Sequence, residues 1–311
     1  MSATAVTPPE PSAPLPDVGV GRTLARSRAQ LLRAATLDEG RSLAVWANAD
    51  DRVRYEAPEH HTVSVYLAGG YGTRRADHPS RRGAPGRLCL LPAGERSDWI
   101  VDGALAFLHL YLPPAAFART VVEVLDREPR SAGLLDAVYV DDATAAGAAA
   151  RLAALDWKAW PGRLALDEVV SELLAHLVAR YACHRPLPEV RGGLAPAVLR
   201  RVLDYLDAHL ERAPGLDELA AVAHLSPYHF ARMFQRSTGS APHAWLAARR
   251  LARARALLRG TLPLAAVAAA CGYASQSHLG NAFRHATGAT PGQYRRWAHG
   301  HADAGEGGGS A

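Results

Sequence analysis

The sequence predicts an α+β protein: an N-terminal antiparallel β-barrel or sandwich with accompanying helices, then an all-α domain built on two helix-turn-helix units. Three observations carry that expectation. Short apolar runs alternate with turn residues between Arg41 and Pro113. The apolar period lengthens to that of a helix after Pro114, and a helical unit occurs twice beyond Leu194. A length of 311 residues suits about two domains. No apolar run approaches the ~20 residues needed to cross a bilayer.

Met1 to Asp17 lack a basic start and an apolar stretch, so no secretory signal is expected. Residues 1–20 read as disordered, as does the Gly-rich tail 299–311. Between them the reading places one domain at 21–183, a linker at 184–193 with Pro186, Pro188, Gly192 and Gly193, and a second domain at 194–298. Cys89, Cys183 and Cys271 form no CxxC pair, which argues against a zinc ribbon or a disulfide framework. Reduced, mostly buried thiols and a cytoplasmic location follow as expectations.

The expected strands are Ser42–Ala47, Val53–Ala57, His61–Ala68, Arg87–Leu91, Asp98–Val101 and Ala104–Leu112. Turn signals separate them at Asn48 to Asp51, Gly69-Gly70, Gly83 to Gly86 and Asp102-Gly103. Helices are expected over Pro114–Leu125, Asp142–Trp157 and Arg163–Tyr181. Asp141-Asp142 and Asp50-Asp51 fall at a helix start or in a turn, where capping accounts for them. Leu166, Val170, Leu173, Leu174 and Leu177 form an apolar stripe on the third helix. That stripe serves either as a face packed on the barrel or as the seam of a homodimer. In the second case Leu166, Val170, Leu173 and Leu177 meet their counterparts.

Charge is unevenly distributed. Gly193 to Trp297 holds thirteen arginines and five carboxylates, a balance of +8, although the whole chain carries only +5. Ten arginines follow Glu218 before the next acid, Asp303. A solvated face normally mixes signs. A one-sided surface suits phosphates, whose counterions are released on contact.

The same region repeats. Ser226, His229, Phe230, Phe234, Thr238, Gly239 and Pro242 recur as Ser275, His278, Leu279, Phe283, Thr287, Gly288 and Pro291, at a constant offset of 49. Upstream, Ala221-Val222-Ala223 matches Ala266-Val267-Ala268 at an offset of 45, which predicts four extra residues in the second turn. Each copy reads as a small apolar helix, Leu216–Leu225 or Leu264–Cys271, whose alanines (Ala220, Ala223, Ala266, Ala269) allow close packing. A Ser N-cap then starts a second helix that ends at a glycine. Phe230 and Phe234, or Leu279 and Phe283, lie on its buried face. The other face offers Tyr228, Ala231, Arg232, Gln235 and Arg236 in the first copy. In the second it offers Gln276, Ser277, Gly280, Asn281 and Arg284. Arg, Gln and Asn make the bidentate contacts that discriminate base pairs in the major groove. His243 to Arg259 reads as one connecting helix of about 17 residues, roughly 25 Å long. Successive major-groove faces lie roughly 34 Å apart, so one chain could reach two of them.

LAAVAHLSPYHFARMFQRSTGSAP and VAAACGYASQSHLGNAFRHATGATPGQYRR resemble the DNA-binding domain of the AraC/XylS family of bacterial transcription regulators. The resemblance covers Leu194 to Trp297, about a third of the chain. It implies base-reading positions at Tyr228, Ala231 and Arg232 and at Gln276, Ser277, Gly280 and Asn281. Ala231 and Gly280 depart from the long polar residues common there and offer only apolar contact or close approach. The resemblance also implies a cupin-like sensory and dimerisation domain in the N-terminal half, double-stranded DNA as partner, a small-molecule effector, and RNA polymerase as a further partner of an activator.

Metal-bearing cupins use an HxH pair with a Glu and a later His. Here His60-His61 are adjacent, and His78 and His109 are scattered, so no metal or other cofactor is expected. Thr62, Ser64 and Tyr66 alternate with Val63, Val65 and Leu67, as Phe107, His109 and Tyr111 do with Leu108, Leu110 and Leu112. The mixed face is either solvated or lines an effector cavity with Tyr66, Trp99, His109 and Tyr111. No nucleophile elbow, phosphate-cradling loop or catalytic carboxylate pair is present. The expected protein is a regulator and not an enzyme. Its rivals are a regulator without ligand and a fused enzyme such as a repair methyltransferase, which would need a reactive cysteine.

Overall fold

The computed structural model describes residues 19–158, 160–184, 193–212 and 214–306. Expectations for residues 1–18, for Pro186, Pro188 and Gly192, and for the tail beyond 306 lie outside those residues. The chain divides into two units. The first holds the described residues up to Leu125 with Gly133–Trp157 and Ala165–His184; the second holds Asp126–Ala132, the described part of Lys158–Leu164 and the described chain beyond Arg185.

The N-terminal unit opens with α1 (Gly19–Ala25) and strands β1 (Gln30–Thr36), β2 (Ser42–Tyr55), β3 (His61–Gly69), β4 (Arg74–Arg75), β5 (Arg87–Leu91) and β6 (Ser97–Leu112). Then come α2 (Pro114–Leu125), β7 (Ala132–Leu134), β8 (Ala137–Asp141), α3 (Ala143–Ala154), α4 (Trp160–Tyr181) and β9 (Ala182–His184). The main sheet is antiparallel in the order β1-β2-β6-β3-β5-β8, with β4 also on β6; β7 pairs with β9. No pairing joins β1 to β8 among the described residues, so the expected barrel is an open sheet with two edges.

Two expected turns are not turns. Asn48 to Asp51 lies inside β2, and Asp102-Gly103 lies inside β6. They face each other where the register slips between Ala49 and Asp51. Asp50 takes a positive φ of 49° and Gly103 one of 79°. The Gly103 amide donates to Asp50 Oδ1 at 2.8 Å. This is a β-bulge: turn chemistry bends two long strands without ending them. The inward set on β2 changes parity there, from Ala44 and Trp46 to Val53 and Tyr55.

The helices fall close to expectation. α2 spans the anticipated residues, and Asp142 caps α3 by accepting from the Ala145 amide at 2.9 Å. On α4, Leu166, Val170, Leu173 and Leu177 are each at most 1% exposed within the single chain. Arg41 of the segment before β2 pairs with Asp167 at 3.5 Å, and His176 with Asp142 at 2.8 Å, so α4 is tied to its own unit. The apolar stripe is therefore an intramolecular core face. As a dimer seam it would have to be exposed in the free chain, and it is not.

The C-terminal unit carries α5 (Pro196–Ala208), α6 (Leu216–Val222), α7 (Pro227–Thr238), α8 (Pro242–Leu258), α9 (Leu264–Ala270), α10 (Gln276–Thr287) and α11 (Pro291–Glu306). Its described residues beyond Gly193 contain no strand. α6 with α7, and α9 with α10, form the two helix-turn-helix pairs; the 17-residue α8 packs against α7, α9 and α11. The second turn, Cys271 to Ala274, is longer than the first, Ala223 to Leu225, by one residue and not by the expected four. The true equivalents are Leu219-Ala220 and Val267-Ala268, all buried, whereas Ala266 and Ala269 are exposed. An alanine-rich helix resembles itself when shifted, so its small residues do not fix a register.

Candidate nucleic-acid interface and N-terminal cavity

Each second helix of the pair is shaped by local chemistry. Ser226 Oγ accepts from the His229 amide at 3.4 Å, and Ser275 Oγ from the His278 amide at 3.1 Å. Gly239 and Gly288 end α7 and α10 in the left-handed conformation, each with φ 76°. Phe230, Phe234, Leu279 and Phe283 are fully buried, and Phe234 meets the Trp245 ring edge-on at 6.0 Å. Burial of one face fixes the other outward. Tyr228, 79% exposed, Arg232, Gln235 and Arg236 are exposed on α7; Gln276, Ser277, Asn281 and Arg284 are exposed on α10. Ala231 and Gly280 are half-buried, and a Cβ added at Gly280 would meet open space. A partner backbone or base edge could approach α10 closely at that point.

The arginines divide into two sets. Arg249 pairs with Asp207 at 2.5 Å and Arg212 with Glu218 at 2.5 Å. Arg250 donates to the Leu210 carbonyl at 3.3 Å, and Arg295 to that of Leu262 at 2.5 Å. These four hold the unit together. Burial pushes the Arg250 guanidinium below its ordinary pKa. The surplus positive charge is thus narrower than the sequence count suggested, and it includes exposed Arg232 and Arg284 on the two second helices. His229 and His278, equivalent and exposed at the third position of α7 and α10, were passed over as interface candidates. Their recurrence in the repeat was the available signal.

In the N-terminal unit, Tyr66, Trp99 and His109 line one cavity on the inner face of the sheet. Space for the centres of water-sized molecules is about 30 Å³ within an envelope of about 400 Å³. Tyr111 lies behind His109: its hydroxyl is 3.2 Å from His109 Nδ1 and accepts from Trp46 Nε1 at 2.9 Å. The mixed faces of β3 and β6 are therefore buried and not solvated. Tyr55, Thr73 and Phe107 also line the space, and Tyr139 closes on Tyr66 with its hydroxyl at 3.4 Å. Tyr55 was hidden from sequence reasoning by the parity change at the bulge. Thr73 was hidden because it sits outside any strand.

Burial lowers the His109 pKa to about 3 and the His60 pKa to about 4; each is pushed further down by a second group, His60 beside His109 and Arg22 beside His60. Burial likewise raises the Tyr55 and Tyr66 hydroxyls well above their ordinary range. Arg75 is buried but stays charged, because Asp136 and Asp77 grip it in bidentate pairs at 2.6 to 2.9 Å. Among the described residues no three His, Cys, Asp or Glu side chains are grouped to hold a metal. His61 Nδ1 accepts from the Ala93 amide at 3.0 Å, and His60 packs edge-on to Tyr111. Burial pushes the Cys89 thiol up to about 12, which leaves it a poor nucleophile at neutral pH. No described helix is long and apolar enough to cross a membrane.

Two helix-turn-helix pairs joined through α8 define a bipartite helix-turn-helix protein. Residues 219–296 match the family described as "Helix-turn-helix domain". This C-terminal domain is similar to that of regulators described as AraC-like, and the similarity spans under half of the chain. It is 32% identical over 99 residues to the regulatory protein PocR of Salmonella typhimurium, covering 32% of this chain and 33% of that protein. It is 34% identical over 137 residues to a putative AraC-like transcription regulator of Streptomyces antibioticus, covering 43% of this chain and 45% of that protein. Among solved structures it is similar to the DNA-binding domain of AdpA in complex with a target DNA. Identity there is 34%, covering 35% of this chain and 97% of that one, with a TM-score of 0.32. The matched part is a third to under half the length of these two curated relatives.

Proposed function

We propose that this chain is a sequence-specific DNA-binding transcription regulator of the cytoplasm, that α7 and α10 enter successive major grooves, and that a small molecule in the N-terminal cavity controls it. The observation that carries the DNA reading is the pair of capped helices, each buried on one side and each showing Arg with Gln or Asn on the other. No carboxylate lies between Glu218 and Asp303 to repel phosphates from either helix. Neither the Arg232 nor the Arg284 guanidinium has a hydrogen bond among the described residues, so each can make a bidentate contact to guanine without first breaking one. The relatives named as regulators support the same reading. Against the fused-enzyme alternative, Cys89 and Cys271 are buried with raised thiol pKa, which leaves Cys183 as the exposed thiol of the three.

The test is binding of wild-type chain and Arg232→Ala to a selected DNA site and to scrambled DNA. Loss of a base contact is expected to weaken specific binding by about 1–3 kcal/mol while scarcely changing non-specific binding. An equal loss on both DNAs would reduce Arg232 to a phosphate contact.

A further inference from the structure

The cavity of the N-terminal unit has a definite chemistry. None of its lining residues is a carboxylate, a lysine or an arginine. The one titratable base there, His109, is 3% exposed and held neutral by burial. The nearby guanidinium of Arg75 lies 6.0 Å over the Trp99 ring, and its charge is taken up by Asp77 and Asp136. An anion entering the cavity would lose its water without gaining a free cation, and an unpaired buried charge is costly. A cation would find no carboxylate on the cavity wall to replace its water.

The polar groups that remain are few. The Tyr111 hydroxyl is 0% exposed and accepts from Trp46, so its own proton needs an acceptor. His109 Nδ1, 3.2 Å away, supplies one. In a neutral imidazole that bond leaves the proton on Nε2, a donor. Thr73 Oγ1 is buried with no hydrogen-bond partner, and Thr73 lines the cavity. Buried hydroxyls are nearly always paired, so an orphan on a cavity wall marks a place for a ligand atom or a water. The remaining wall is largely aromatic, with Tyr66, Trp99 and Phe107. The free space, about 30 Å³, exceeds the ~10–15 Å³ that one water needs but falls short of the ~150 Å³ of an apolar cavity that takes up benzene, so a ring enters only as the lining side chains move apart.

We propose, on the effector reading above, that this cavity binds an uncharged molecule of about one ring bearing a single hydroxyl or carbonyl oxygen. The ring lies among Tyr66, Trp99 and Phe107, and the oxygen takes up His109 Nε2–H and the Thr73 hydroxyl.

The experiment is calorimetric titration of the full chain with phenol, acetophenone and indole, against benzoate and benzyltrimethylammonium as charged rings. At least one neutral ring is expected to bind saturably, at least about tenfold tighter than either charged ring. Thr73→Val is expected to weaken that binding several-fold for an oxygen-bearing ring while the chain keeps its circular dichroism. Ser64→Phe, which fills the cavity, should abolish it. Benzoate or benzyltrimethylammonium binding as well as the neutral rings would overturn the proposal. So would the absence of binding by all three neutral rings up to about 1 mM, or full binding by both variants. DNA affinity measured with and without the bound ring separates the two levels. A neutral ring that binds in the cavity and leaves DNA affinity unchanged would refute effector control while the ligand class stands.

Discussion

Equivalent residues in the two repeats are built differently, and the differences predict different sensitivities. The turn of the first pair places His224 at φ 55°, and that of the second places Gly272 at φ 74°. A Cβ on Gly272 would stand 2.4 Å from the Leu210 carbonyl oxygen and 2.4 Å from Arg250 Nη2. Gly272→Ala is therefore expected to cost more than about 2 kcal/mol, combining the left-handed penalty with a backbone clash. His224→Gly trades relief of that penalty against backbone entropy and should stay within about 1 kcal/mol of wild type. Urea denaturation of both variants checks this, and a Gly272→Ala protein as stable as wild type would refute the steric account. His109 and His60, with folded pKa values of about 3 and about 4, give a pH dependence of definite sign. The unfolded chain binds more protons below about pH 6.5, so stability is complete above that pH and falls as pH drops toward the folded values. Each histidine contributes up to about 1.4 kcal/mol per pH unit within that window. Thermal melts from pH 7.5 to 4.5 should show the decline, and His109→Gln should flatten it. Parallel curves for the two proteins would mean that His109 is protonated without cost.

At the scale of elements, the serine caps are the simplest test of how the reading helices are fixed. Ser226→Ala and Ser275→Ala each remove one acceptor from a helix start and should cost about 1 kcal/mol. Ser226 is backed by Pro227 at the first helical position, so its loss should be the milder of the two. Equal, negligible losses in both would show that packing alone sets the helix starts. These caps, the left-handed glycines and the buried aromatic pairs were legible in the sequence because each depends on residues within one turn of the other. The sheet was less legible. Asn48 to Asp51 and Asp102-Gly103 carry real turn chemistry, and only their pairing across β2 and β6 makes a bulge of it. Strand β1 was not anticipated because Arg33 interrupts its apolar pattern; the guanidinium donates to the Ala153 and Leu155 carbonyls and covers Trp157. The spacing of short strands predicts a barrel or a sandwich, and local pattern holds no information on whether β1 meets β8.

In the C-terminal unit the two proposed reading helices, α7 and α10, are joined through one helix, α8. α8, with 17 residues, is about 25 Å long; it packs on α7 directly and on α9, which in turn packs on α10. Such a rod suits sites on one side of the duplex about one helical turn apart. On α8, Arg249 is neutralised by Asp207, whereas Arg253 is exposed and joins Arg232 and Arg284 in the exposed set that would face phosphates. A steep loss of affinity with salt is expected from phosphate contacts, and it should persist on scrambled DNA. Specificity should not persist there. The most direct measurement is selection of the full chain on random double-stranded DNA, followed by sequencing of the retained fraction. Two conserved elements centred about 10 bp apart are expected, with the Arg232→Ala chain losing one element and Asn281→Ala the other. Retained DNA with no shared element, or with one element that both substitutions erase alike, would contradict a two-headed reader.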